Sequence, residues 1–241
     1  MQLHPAPEPV QLSGVGSELT VLVCRWTIVF VAAARSSDRR PRFALLAALA
    51  SSMLLLSLAP LALPSSYSWV ELGTSEAAAQ GVAGAWVARL GFVLLGLAVL
   101  GVCVLRHRAW RTLATGLHAC FGVGMVMVAV YSHAPWEAGV PYVELEDHLH
   151  SVFASVVGFS FIAGVAATLA ARRPRTGAHT AGDITAILLT GTIPLLMNAP
   201  VWGVLQRLMF LIAACWYGSE ALLQPAPEAA VKHGMRSRAG E

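Results

Sequence analysis

Four stretches of this sequence, 43–63, 82–105, 112–132 and 150–171, each hold the run of about 20 mostly apolar residues that a bilayer span requires. A helix on the surface of a soluble domain needs one polar face, and these runs offer almost none. Two further runs, 184–198 and 202–222, are separated only by the turn Asn198-Ala199-Pro200. Composition agrees: 56% of the 241 residues are hydrophobic and 12% are charged. That is about half the charge a globular protein usually carries, too little to cover a water-exposed surface. Lipid offers no hydrogen bonds to the backbone, so each run must satisfy its own N–H and C=O groups as a helix. The expected fold class is therefore all-α: a polytopic transmembrane helix bundle with six core helices.

A short apolar segment, 19–34, is interrupted by Arg25 and makes a possible N-terminal seventh helix. Three parts follow: an N-terminal arm with that doubtful segment (1–42), a six-helix membrane domain (43–222) and a polar tail (223–241). The first 18 residues hold no Lys or Arg and three prolines, which is not the pattern of a cleavable signal peptide. No internal repeat of about 20–50 residues stands out. Cys24, Cys103, Cys120 and Cys215 all fall inside apolar runs without metal-clip spacing and read as small packing residues.

Charge placement sets the expected orientation. Of 16 basic residues, 13 lie in segments 35–42, 106–111, 172–175 and the tail, whereas loops 64–81 and 133–148 contain none. Basic loops stay on the cytoplasmic side, so the expected location is a bacterial inner membrane, with loops 35–42, 106–111 and 172–183 and the C-terminus in the cytoplasm. The bacterial assignment rests on composition, 15 Arg against one Lys with abundant Ala and Gly. The opposite loops carry Glu71, Glu76, Glu137, Glu144, Glu146 and Asp147. Membrane lipids are the expected partners, and nothing points to nucleic acid.

Ionisable residues inside spans are costly and mark structure or function. Arg89 lies seven residues into its run and Arg207 five into the last, roughly 10 Å and 8 Å from the acidic-loop end at 1.5 Å per residue. Glu146 and Asp147 open a nearby span, so a shared cluster of two arginines and two carboxylates is expected. Three readings stay open. The arginines lock helix ends through carboxylate pairs; they hold a lipid headgroup or small anionic ligand, with Ser75 from the neighbouring loop; or they snorkel to the interface.

The run Glu144-Leu145-Glu146-Asp147-His148-Leu149-His150 invites a metal reading. On a helix His148 and His150 point about 200° apart. Glu146 or Asp147 can instead share a face with His150, and His133 can supply a further ligand. Zinc is the metal this set would suit, although no HExxH, HxxxH or CxxC is present. The alternative is a first helical turn whose carboxylates complement the helix dipole. Ser75 and Glu76 lack a GxSxG elbow, so nucleophilic catalysis is not indicated. His118, deep in a span with no histidine at matching depth, reads as a hydrogen bond to a neighbouring helix rather than a haem ligand. Pro194, with Thr190, Thr192 and Asn198, predicts a kinked fifth core helix.

The stretches SYSWVELGTSE, GAWVARLGFVLLGL, FGVGMV, EDHLHSVFASVVGFSFIAGV and GVLQRLMFLIAACW together resemble the bacterial membrane family known as domain of unknown function 998. The resemblance spans about 43–222. It implies a six-helix integral membrane protein and assigns no catalytic residue, so none is carried over. The expected function is a membrane protein with an outward-facing polar pocket for lipid headgroups or a small anion. A metal-assisted membrane hydrolase using His133, His150, Glu146 and Asp147 is one alternative. A small-solute transporter is another, although no two-fold repeat supports it.

Overall fold

The structure, a computed structural model, describes residues 40–171 and 177–223. The segment 19–34 lies outside them. Among the described residues there are six α-helices, two 3₁₀ turns and no strand. Helix α1 (Arg40–Leu58) runs into a 3₁₀ turn at Ala59–Ala62, and a short α2 (Thr74–Ala77) lies in the following loop. Next come α3 (Trp86–Val130), α4 (Glu144–Ala171) and α5 (Gly177–Thr192), which continues as a 3₁₀ turn at Ile193–Leu196. The last helix is α6 (Trp202–Leu222).

Helix α3 is two helices in one. At Arg111 the backbone adopts φ 62° and ψ 163°, and the helix reverses there. The two halves then pack antiparallel: a Cβ on Gly96 would lie 2.5 Å from the Gly122 carbonyl, and one on Gly122 would lie 2.8 Å from Leu100. Only glycines permit backbones to pass so closely. With that reversal, six long segments stand where the six core runs were expected. Segment 106–111, expected as a cytoplasmic loop, is instead helical on both sides of a one-residue turn. Likewise α5 begins at Gly177, so residues 177–183 of the expected loop 172–183 are helix.

Among the described residues, three elements are long and apolar enough to cross a membrane: 40–62, 86–130 and 144–171, of 23, 45 and 28 residues. The first and third, 40–62 and 144–171, turn most of their apolar surface outward. Phe159 is 72% exposed and Leu113 69%, which a lipid-facing bundle tolerates and a soluble one does not. The first half of α3 is the centre of the bundle, with Ala88, Phe92, Leu95, Ala98, Val99 and Val102 fully enclosed. A helix apolar on all sides belongs in such a position. Helix α1 packs on it through Leu56 against Gly91, and the Ser52 hydroxyl donates to the Gly91 carbonyl at 2.8 Å.

Pro194 ends the α-helical hydrogen bonding of α5, because it has no N–H to give, and the chain tightens into the 3₁₀ turn. Gly84 (φ +82°) sits against the Ala62 carbonyl; both the positive φ and the contact exclude a side chain. It closes the loop between α1 and α3.

Candidate functional site

The loops at the acidic end of the bundle are built inward, and Arg207 organises them. Gly203 comes one turn before it, and a Cβ there would collide with the Trp69 and Leu72 carbonyls. Without one, loop 67–73 lies directly on α6. The Arg207 guanidinium then donates from Nη1 to the carbonyls of Trp69 (2.9 Å), Leu72 (3.2 Å) and Gly203 (2.8 Å). Nη2 donates to the Tyr67 hydroxyl at 2.8 Å. That hydroxyl donates in turn to the carbonyls of Gly73 (2.6 Å) and Leu72 (3.0 Å). Burial holds the Tyr67 hydroxyl above its ordinary pKa, against the opposing pull of Arg207. The neighbouring Gln206 accepts from the Thr74 amide (2.6 Å) and hydroxyl (2.9 Å), which fixes α2 on α6.

Arg89 does a similar job at the other end of α2. Its Nε donates to the Ala78 carbonyl at 3.0 Å and its Nη2 to the Ala79 carbonyl at 2.8 Å. These are carbonyls that the four-residue helix cannot satisfy itself. Glu146 is the carboxylate whose charge reaches Arg89, but among the described residues neither arginine forms an ion pair with Glu146 or Asp147. The expected four-membered cluster is therefore corrected. The arginines instead bind backbone carbonyls at 2.8–3.2 Å. Asp147 accepts from the Ala134 amide at 2.7 Å and pins the loop that precedes α4. Glu144, Glu146 and Asp147 form the acidic first turn of that helix, complementing its dipole.

The histidines divide. His148 is exposed and His150 buried, as opposite helix faces require. His150 Nδ1 faces the Tyr131 carbonyl at 2.8 Å and the Val128 carbonyl at 3.2 Å, so Nδ1 carries the proton. Its ring stands edge-on to His133, centroids 5.3 Å apart, and His133 Nδ1 is 3.8 Å from Asp147. Two imidazoles and a carboxylate are thus neighbours, yet among the described residues no three metal-capable side chains converge on one point.

Two cavities flank the Gln206–Phe210 stretch of α6. A lateral groove of about 250 Å³ lies between α1 and α6, walled by Met53, Leu56, Leu208 and Leu211, with Ser57, Thr74 and Arg207 at its polar end. On the opposite side a narrower cavity of about 100 Å³ lies among the second half of α3, α4, α5 and α6, with Ser75 and Gln206 at its polar end. Of the candidate site residues named from the sequence, the structure brings Arg207 and Ser75 to these cavities; Arg89, Glu146, Asp147, His133 and His150 line neither.

The sequence reading overlooked a second polar centre at the basic end. Arg106 and Glu220, 4% and 2% exposed, pair at 3.3 Å, and the Glu220 carboxylate also accepts from Trp110 Nε1 at 2.9 Å. Trp216 Nε1 donates to Asp183 at 2.8 Å. His118 bonds Tyr217 (2.9 Å) and Thr168 (3.1 Å), the helix-to-helix role expected of it, and packs against both Trp110 and Trp216. The available signal was Glu220 itself, an acid within a span at the end where every loop is basic.

A family model described as protein of unknown function, DUF998, matches residues 50–222. Neither among curated proteins nor among solved structures does anything match the chain.

Proposed function

The chain belongs to the DUF998 family, proteins of unknown function, and on that premise we propose that it binds an anionic lipid from the surrounding leaflet in the groove between α1 and α6. One observation carries this reading: Arg207 lines an apolar groove while no carboxylate pairs with it among the described residues. An arginine at membrane depth whose charge is left uncompensated is costly. A phosphate or carboxylate headgroup would neutralise it through charge-assisted hydrogen bonds. Nη2 engages only Tyr67, so the guanidinium retains a donor there, while Nε is buried. Leu208 and Leu211, 41% and 48% exposed, would lie along an acyl chain. In this reading Arg89 and Asp147 brace the loops around the site rather than touch the ligand.

The protein would sit in a bacterial inner membrane with its basic loops in the cytoplasm, as the distribution of arginine supports. The site would then face the outer leaflet. Native mass spectrometry of the purified protein, with phosphatidylglycerol and phosphatidylcholine supplied in equal amounts, tests the proposal. Phosphatidylglycerol adducts should dominate in the wild type and fall to the phosphatidylcholine level in Arg207→Gln. Circular dichroism would check that the variant keeps its helices. Undiminished phosphatidylglycerol preference in a folded Arg207→Gln would overturn the reading.

A further inference from the structure

Two side chains offer donors at the polar end of the groove between α1 and α6. Arg207 Nη2 gives one N–H to the Tyr67 hydroxyl and keeps the other, whereas Nη1 is engaged by three carbonyls. The Ser57 hydroxyl on α1 lines the same groove and has no hydrogen-bond partner among the described residues. Thr74, the remaining polar residue there, already donates its hydroxyl to Gln206. Two donors suit the two unesterified oxygens of a phosphodiester. A phosphomonoester presents three such oxygens and close to two negative charges.

Glu76 stands behind this polar end. A Cβ on Gly73 would lie 2.9 Å from its Oε2 and would collide with Gln206 Oε1. The Gly73 carbonyl accepts from the Tyr67 hydroxyl at 2.6 Å, and that hydroxyl is 2.8 Å from Arg207 Nη2. A head held by Nη2 therefore sits beside Tyr67, with the Glu76 carboxylate just beyond. Glu76 makes no ion pair with Arg207 among the described residues. Its Oε2 is buried without a hydrogen bond, so at that oxygen neither a donor nor water offsets the charge. Besides burial, the Glu76 charge acts to raise the pKa of the Tyr67 hydroxyl, against the pull of Arg207. One cation and one anion thus share the site. Arg207 holds the first negative charge of a head directly. A second is also drawn to Arg207, but it is repelled by Glu76 and gives up its hydration to enter an apolar groove.

We propose that the groove selects lipid heads carrying a single negative charge on a phosphodiester, and that Glu76 sets this limit by repelling the second charge of a phosphomonoester. The inference rests on the anionic-lipid reading of the groove and narrows it to diesters. Glu76 acts on the charge of the head without touching it.

Phosphatidylmethanol and phosphatidic acid of identical acyl chains differ by one methyl ester and one charge. Each, with phosphatidylcholine as reference, would be added to the full-length protein in detergent and read by native mass spectrometry. A pH of about 8.5 lies well above the second phosphate pKa of about 6. The wild type should favour phosphatidylmethanol over phosphatidic acid by about fivefold or more. Glu76→Gln should shift that ratio about tenfold toward phosphatidic acid. Glu76→Ala, which brings no amide donor, should do the same. Glu71→Gln makes an equal charge change at an exposed position of the same loop and should leave the ratio unchanged. A ratio unaltered in folded Glu76→Gln and Glu76→Ala, or shifted as far by Glu71→Gln, would overturn the role of Glu76. A wild type that takes phosphatidic acid as readily as the methyl ester would overturn the selection. Both of those failures leave the preference for anions over phosphatidylcholine intact. If neither anion exceeds phosphatidylcholine in the wild type, the anionic-lipid reading itself fails and this inference falls with it.

Discussion

Glu220→Ala is the substitution whose cost the structure specifies most closely. The carboxylate is enclosed in the bundle, pairs with Arg106 Nε at 3.3 Å and receives Trp110 Nε1 at 2.9 Å. Truncation takes the Glu220 charge away from a buried guanidinium. Breaking a buried pair in this way costs about 3–5 kcal/mol, and the unpaired indole N–H belongs to the same loss. Glu220→Gln keeps an acceptor for Trp110 but no charge for Arg106, so it should cost less, about 1.5–3 kcal/mol, the worth of hydrogen bonds to a charged group. The double variant Arg106→Met with Glu220→Leu removes both charges together and replaces them with apolar bulk. It should recover most of the loss, because desolvation of two charges offsets much of what their attraction contributes. Steric trapping in bicelles measures each free energy, and the double-mutant cycle isolates the coupling. A cost below about 1 kcal/mol for Glu220→Ala, outside the range for a broken buried pair, would refute the argument. A double variant as unstable as the single would show that the pair is not what stabilises this end.

Other consequences are also measurable. Arg111 holds a backbone conformation that only glycine adopts freely, so Arg111→Gly should stabilise the protein by about 1–3 kcal/mol in the same bicelle assay. Gly164→Ala would place a Cβ 2.7 Å from His118 Cε1 and push the ring off Tyr217 and Thr168; overpacking of this kind costs about 1–3 kcal/mol, and wild-type stability would contradict it. Because burial raises the Tyr67 pKa in the folded state, its stabilising contribution is complete below the unfolded value of about 10 and declines as pH rises through the folded one. Thermal unfolding should therefore show an alkaline decline above pH about 10 that is smaller in Tyr67→Phe. Cysteines introduced singly at Ser65 and Arg108 in a cysteine-free background should react with a membrane-impermeant maleimide from opposite sides of intact cells; labelling from the same side would overturn the proposed orientation.

The sequence alone determined that this chain is an all-α membrane bundle, where its long helical segments lie, and that His118 bonds a neighbouring helix. Those properties follow from length, apolarity and burial, which are local or additive along the chain. The acidic first turn of α4 and the kink at Pro194 were legible for the same reason. Tertiary structure alone decided which groups meet. Arg89 and Arg207 were assigned to carboxylates because opposite charges at similar depth attract, but depth does not fix rotation about a helix axis. Loop 67–79 offers them carbonyls within hydrogen-bonding range. Arg106 looked like a loop charge and lies buried against Glu220, 114 positions away in the numbering, because α3 stays helical through residue 110 before it reverses. The two cavities flanking α6 have no sequence signature: a void is defined by what several helices fail to fill, and that is settled only when they pack.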